Sequence, residues 1–92
     1  MTKLSSKHKK TLTKVFEVPT LASIEWKNIE AMFKALGAQL EEGAGSRVHV
    51  LLNGEVSTFH RPHPEKETDR GAVVSVRKFL LNAGVTPETQ SD

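Results

Sequence analysis

The sequence predicts an α+β fold, a three-stranded antiparallel sheet packed by helices on one face. The elements run helix, helix, strand, strand, strand, helix. Three observations predict it. Apolar residues recur at helical spacing in two stretches, around Trp26 to Leu36 and around Val73 to Leu80. Between them lies a β-rich stretch divided by Asn53-Gly54, a strong hairpin signal because both turn residues need positive φ. The length of 92 residues suits one domain and is too short for two.

Taken in order, the first helix starts at Ser5 or Ser6, either of which can cap free N–H groups. Leu12, Val15 and Phe16 form its apolar stripe, the lysines take the remaining surface, and Pro19 ends it. The second helix has Ser23 as N-cap. Trp26, Ile29, Phe33 and Leu36, with Met32 beside them, make a stripe wide enough to pack on a sheet. Gly37 stands where a left-handed residue closes a helix. A short strand follows around Ala38 to Glu42, and Gly43-Ala44-Gly45-Ser46 breaks it. Arg47 to Leu52 and Glu55 to His60 form the hairpin. The last helix runs from about Asp69 to Ala83, with Val73, Val76, Phe79 and Leu80 inward, Gly84 as its stop and Pro87 beyond. The chain thus divides into a basic helical extension (1–20), a main domain (21–85) and a polar, disordered tail (86–92).

Composition narrows the function classes. The absence of cysteine removes disulfides, thiolate metal sites and a cysteine nucleophile, and fits a reducing compartment. No run approaches the roughly 20 apolar residues of a membrane-spanning helix. The N-terminus carries charge without an apolar stretch behind it, so it is not a secretory signal. The expectation is a cytoplasmic protein with no membrane partner. A net charge of +2 is too small to name a polyanionic partner, but its placement is informative. Lys3, Lys7, Lys9, Lys10 and Lys14 fall in a segment without acids, while Glu41, Glu42 and the Glu65 to Asp69 stretch hold many of the acids. By default a lysine run is a solvated helix face. Lys7, Lys9, Lys10 and Lys14 also suit contacts to a phosphate backbone, with affinity falling as salt rises.

A two-residue turn fixes the hairpin register. Leu52 pairs with Glu55, Leu51 with Val56, Val50 with Ser57, His49 with Thr58, Val48 with Phe59 and Arg47 with His60. Paired residues share a face and faces alternate along a strand. Val48, Val50, Leu52, Ser57 and Phe59 therefore face the core. Arg47, His49, Thr58 and His60 face outward, with Leu51 and Val56 near the turn. The segment His60-Arg61-Pro62-His63-Pro64 adds Arg61 and His63 at the rim. Histidine can move protons near neutral pH, and the arginine fork matches phosphate oxygens. The simpler reading makes these residues a surface strand and a rigid turn. His60-x-x-His63 without cysteine or a third ligand at set spacing does not make a zinc site.

The order of motifs is distinctive. A Trp-bearing helix leads into Ala35-Leu36-Gly37-Ala38, followed by a strand and the turn Gly43-Ala44-Gly45-Ser46-Arg47. Then come the hairpin, His60-Arg61-Pro62-His63-Pro64, and a final helix closing with Asn82-Ala83-Gly84-Val85. From about Ile24 to Val85 this resembles the HicA family of bacterial toxins. The resemblance implies a double-stranded-RNA-binding-domain-like fold, α-β-β-β-α, to which the lysine-rich helix is an addition. It also implies an endoribonuclease (mRNA interferase) that cleaves mRNA without metal or cofactor. A HicB-type antitoxin would neutralise it, and the free toxin is expected to be a monomer. The family carries its catalytic histidine directly after a Gly-Ser pair, whereas here Gly45-Ser46 precedes Arg47. His49, two residues on, shares that face, and His60 lies opposite Arg47, so either takes the missing role. The working assignment makes His49 or His60 the base or acid and Arg47 the phosphate clamp. Ser46, Arg61 and His63 bind RNA beside them. The alternatives are a non-catalytic RNA-binding module of the same fold and a domain that retains only an antitoxin-binding surface.

Overall fold

The computed structural model describes residues 4–90. Its elements are α1 (Ser6–Val15), α2 (Trp26–Ala35), β1 (Gln39–Glu42), β2 (Arg47–Leu52), β3 (Glu55–His60) and α3 (Arg70–Asn82). The strands form one antiparallel sheet in the order β1-β2-β3, so the α+β class stands as predicted. Lys3 lies outside the described residues. In the segment expected as a disordered tail, Glu88–Gln90 form a 3-10 turn. There the Thr86 N–H donates to Thr89 Oγ1 and the Thr89 N–H to Thr86 Oγ1. Residues 91–92 lie outside the described residues.

The helices end as their sequences dictate. At α2 the Ala38 N–H donates to Phe33 O and the Gly37 N–H to Lys34 O, both at 3.0 Å. At α3 the Val85 N–H donates to Leu80 O at 2.8 Å and the Gly84 N–H to Leu81 O at 3.0 Å. Both are Schellman closures, which satisfy carbonyls that would otherwise lack partners. Asp69 caps α3, its Oδ1 accepting from the Ala72 N–H at 2.7 Å. Ser5 caps α1.

Two helix boundaries differ from expectation, both for long-range reasons. Helix α2 starts three residues after Ser23, with Glu25 as N-cap and no side-chain cap. The segment after the His-Arg-Pro-His-Pro turn pairs there instead. Thr68 N–H donates to Ile24 O, Trp26 N–H donates to Lys66 O, and Glu25 bridges Glu67. Helix α1 stops at Val15, before Pro19, where Arg77 of α3 captures its end. Arg77 Nε donates to Val15 O at 3.0 Å, and its Nη2 reaches Glu17 O and Thr20 Oγ1.

The hairpin register is the one predicted, from Arg47 opposite His60 to Leu52 opposite Glu55. Asn53 (φ 52°) and Gly54 (φ 84°) both occupy the left-handed region, as a type I′ turn requires. Asn53 Nδ2 also donates to Ala83 O at 2.8 Å, pinning the turn to the end of α3. Val48, Val50, Leu52 and Phe59 are buried on one face against α2 and α3. Phe59 stands among Trp26, Phe33 and Phe79, with ring centroids 5.8 Å from each. Helix α1 packs mainly on α2 and α3 rather than on the sheet. Its Leu12 and Val15 are fully buried in the same core, so the N-terminal helix is integral to the fold. Among the described residues no helix covers the opposite face of the sheet.

Candidate functional site

The open face is laid out in rows by the two registers. Arg47 and His60 form one row. Glu41, His49 and Thr58 form the next, and Gln39, Leu51 and Val56 the third. Alternation along each strand places all of them on the side away from the helices. Arg47, Thr58 and His60 are exposed and His49 is half-buried.

Two side-chain pairs organise the polar rows. His49 Nδ1 and Thr58 Oγ1 lie 2.8 Å apart. Arg47 Nε donates to His60 Nε2 at 3.3 Å, which leaves the remaining His60 nitrogen as the one carrying hydrogen in the neutral ring. Behind the first pair, Gly43 extends the ladder of β1, its N–H donating to Arg47 O at 2.9 Å. A Cβ at position 43 would stand 2.7 Å from His49 Nε2 and 3.1 Å from Arg47 Cβ. The imidazole therefore rests over a bare backbone, a placement that only glycine at 43 permits.

The other expected residues are placed differently. Ser46 is exposed at the turn, and its carbonyl accepts from the Arg61 N–H at 2.9 Å. Arg61, one residue past His60, points to the helix side. Its Nε donates to Glu30 Oε2 at 2.6 Å and its Nη2 to Glu42 Oε2 at 2.7 Å. Glu30 Oε2 also accepts from Trp26 Nε1. The fork expected at RNA is thus occupied by two carboxylates that tie α2, β1 and the exit of β3 together. The hydrogen bonds from Arg61 hold the Glu42 carboxyl below its usual range, and those carboxylates in turn raise Arg61. Among the described residues Arg47 forms no ion pair, while Glu42 is held by Arg61. His63 is exposed in the turn beyond, outside the hydrogen-bonded pairs. Lys7, Lys10 and Lys14 are exposed and Lys9 is half-buried on α1. That helix packs on the helical layer, so the fold does not bring the lysines beside the histidines.

Among the described residues no three His, Cys, Asp or Glu side chains gather as metal ligands, and no helix is long and apolar enough to cross a membrane. The polar rows offer two imidazoles and a guanidinium on one surface. Across one pair of strands, diagonal neighbours such as His49 and His60 are separated by about 7–8 Å. That spacing can hold a phosphodiester between them.

The family described as "HicA toxin of bacterial toxin-antitoxin" matches residues 26–85, well over half of the chain. The chain belongs to the HicA toxin family. Searches of curated proteins and of solved structures found no match. The HicA segment takes in α2, the whole sheet and α3, hence every residue of the open face. Helix α1 lies before it, although it shares its core. Two residues of this candidate site were not singled out as functional from sequence. Thr58 was legible as the cross-strand partner of His49. Gly43 could be found only by extending the β1 ladder one residue past Glu42, which puts it opposite Arg47.

Proposed function

We propose that this HicA protein is the toxin component of a toxin–antitoxin pair and acts as a metal-independent endoribonuclease on mRNA in the cytoplasm. The observation that supports this reading is the convergence of Arg47, His49 and His60 on one open sheet face. His49 Nδ1 lies 2.8 Å from Thr58 Oγ1; in the tautomer with hydrogen on Nδ1, Nε2 keeps its lone pair and His49 acts as general base. It takes the proton of a ribose 2′-hydroxyl. The 2′-oxygen attacks phosphorus, the P–O5′ bond breaks, and O5′ receives a proton from the His60 imidazolium. The products are a 2′,3′-cyclic phosphate and a free 5′-hydroxyl. Protonation of His60 ends its acceptance from Arg47 Nε and turns the guanidinium toward the phosphate oxygens. There it stabilises the charge that grows in the transition state.

Because one histidine acts as base and the other as acid, kcat/KM on RNA is expected to be bell-shaped in pH. The test is cleavage of RNA by purified protein in the presence of a chelator. His49→Ala and His60→Ala should each lower the rate at least about 100-fold. Undiminished cleavage by both variants would overturn the assignment. The second reading, an RNA-binding module without catalysis, is favoured by Arg47 at the family's histidine position. It predicts salt-dependent RNA binding with no cleavage. The natural partner is a HicB-type antitoxin that covers this face, and co-expression with it should relieve growth arrest caused by the toxin alone.

A further inference from the structure

The third row of the open face has a chemistry that phosphate binding does not explain. A cavity of about 130 Å³ opens beside His49, lined by Gln39, Glu41, His49, Val50, Leu51 and Val56. Its volume is roughly that of four waters, enough for the edge of one ring system and too small for a whole nucleotide. Leu51 and Val56, cross-strand partners, are 39% and 66% exposed. They are two of only four large apolar side chains so exposed among the described residues. Glu41 is exposed on the same face, directly across from His49. A carboxylate repels phosphate, so this end of the face suits a neutral group, while the Arg47 and His60 row suits the anion.

We propose that this cavity is a nucleobase subsite that selects guanine. An ionised carboxylate is an acceptor only. Guanine presents two adjacent donors on one edge, N1–H and N2–H, which a carboxylate takes as a pair. Adenine, cytosine and uracil each set an acceptor beside their donor on that edge, and it would face a carboxylate oxygen. Gln39, two residues before Glu41 on the same strand face, has an amide that can donate to guanine O6. Leu51 and Val56 cover the flat of the base. Successive same-face positions lie about 7 Å apart along a strand. A base held at Gln39 and Glu41 therefore puts its own ribose at His49 and the following phosphate at Arg47 and His60. The subsite serves the nucleotide that supplies the attacking 2′-hydroxyl, so cleavage falls on the 3′ side of guanosine. This rests on the ribonuclease reading for the cleavage position, but not for the binding preference.

The experiment has two arms. In the first, the protein is titrated with short RNAs that carry a 2′-deoxynucleotide at the scissile position and so cannot react. The set contains guanine, adenine, cytosine or uracil at that position. Guanine should bind at least about 10-fold more tightly than the others, as a two-donor pairing requires, and Glu41→Gln should abolish the preference. In the second arm, cleavage sites are mapped on a mixed-sequence RNA and should fall after guanosine. Guanine preference without cleavage would sustain the subsite and sink the ribonuclease reading. Cleavage without base preference would overturn the subsite and leave the ribonuclease reading standing, and a preference unchanged in Glu41→Gln would overturn the subsite whatever the cleavage arm shows. Equal binding of all four bases without cleavage would overturn both, leaving Glu41 free to meet a cation of a protein partner. The wild-type comparison needs no variant, and Glu41 is exposed, so folding does not confound the result.

Discussion

A methyl group at position 43 would stand 2.7 Å from His49 Nε2, so Gly43→Ala moves the imidazole without touching its chemistry. A misplacement of about 1 Å can cost about 100-fold in rate, and that is the loss expected for Gly43→Ala in RNA cleavage. The thermal midpoint should change little, because the displaced ring lies on the open face. At this scale the hairpin residues were legible and Gly43 was not. Period-two alternation and a two-residue turn fix which face a strand residue occupies, which is why Arg47, His49 and His60 were read together. Whether a ring lies against a backbone depends on its rotamer, which no pattern records. The partners of Arg61 were not legible for a related reason. Alternation puts it on the helix side, but its carboxylates, Glu30 and Glu42, lie 31 and 19 residues away in sequence.

At the scale of elements, the Glu30–Arg61–Glu42 brace joins one helix and two strands, and its strength depends on pH. Hydrogen bonds from Arg61 lower the Glu42 carboxyl from its ordinary value of 4.5. A lowered folded value means that the unfolded chain binds the proton first as pH falls. The contribution is therefore present at neutral pH and lost as pH drops through the lowered value. Arg61 is raised and stays charged throughout, so Glu42 sets the window. The gap in thermal midpoint between the wild type and Glu42→Gln should close as pH falls from 7 through the carboxylate range. It should also shrink in high salt, because Glu42 is exposed. Helix existence and the ends of α2 and α3 were legible from apolar stripes and glycine stops. The start of α2 and the end of α1 were not, because residues 66–68 and Arg77 set them from afar.

For the whole molecule, the helical layer forms one core. Leu12 of α1 is fully buried, so Leu12→Ala should cost about 2–5 kcal/mol in chemical denaturation. A detachable extension would show almost no loss. Phe59→Ala removes the ring that touches three other aromatics and should cost about 3–5 kcal/mol. Either loss is a large share of the roughly 5–15 kcal/mol that stabilises a typical domain. The sequence placed Lys7, Lys9, Lys10 and Lys14 on an amphipathic helix, as the structure has them. It could not place that helix in three dimensions, since nothing local says whether a helix covers a sheet or stacks on other helices.

Trp26 is the only tryptophan in the chain. Its indole N–H rests on Glu30, which also holds Arg61, and its ring lies 5.8 Å from that of Phe59, the residue before His60. The protein therefore carries a built-in optical reporter one residue removed from its open sheet face. Its emission will follow any rearrangement at the exit of β3 when a ligand or partner binds there, with no label attached.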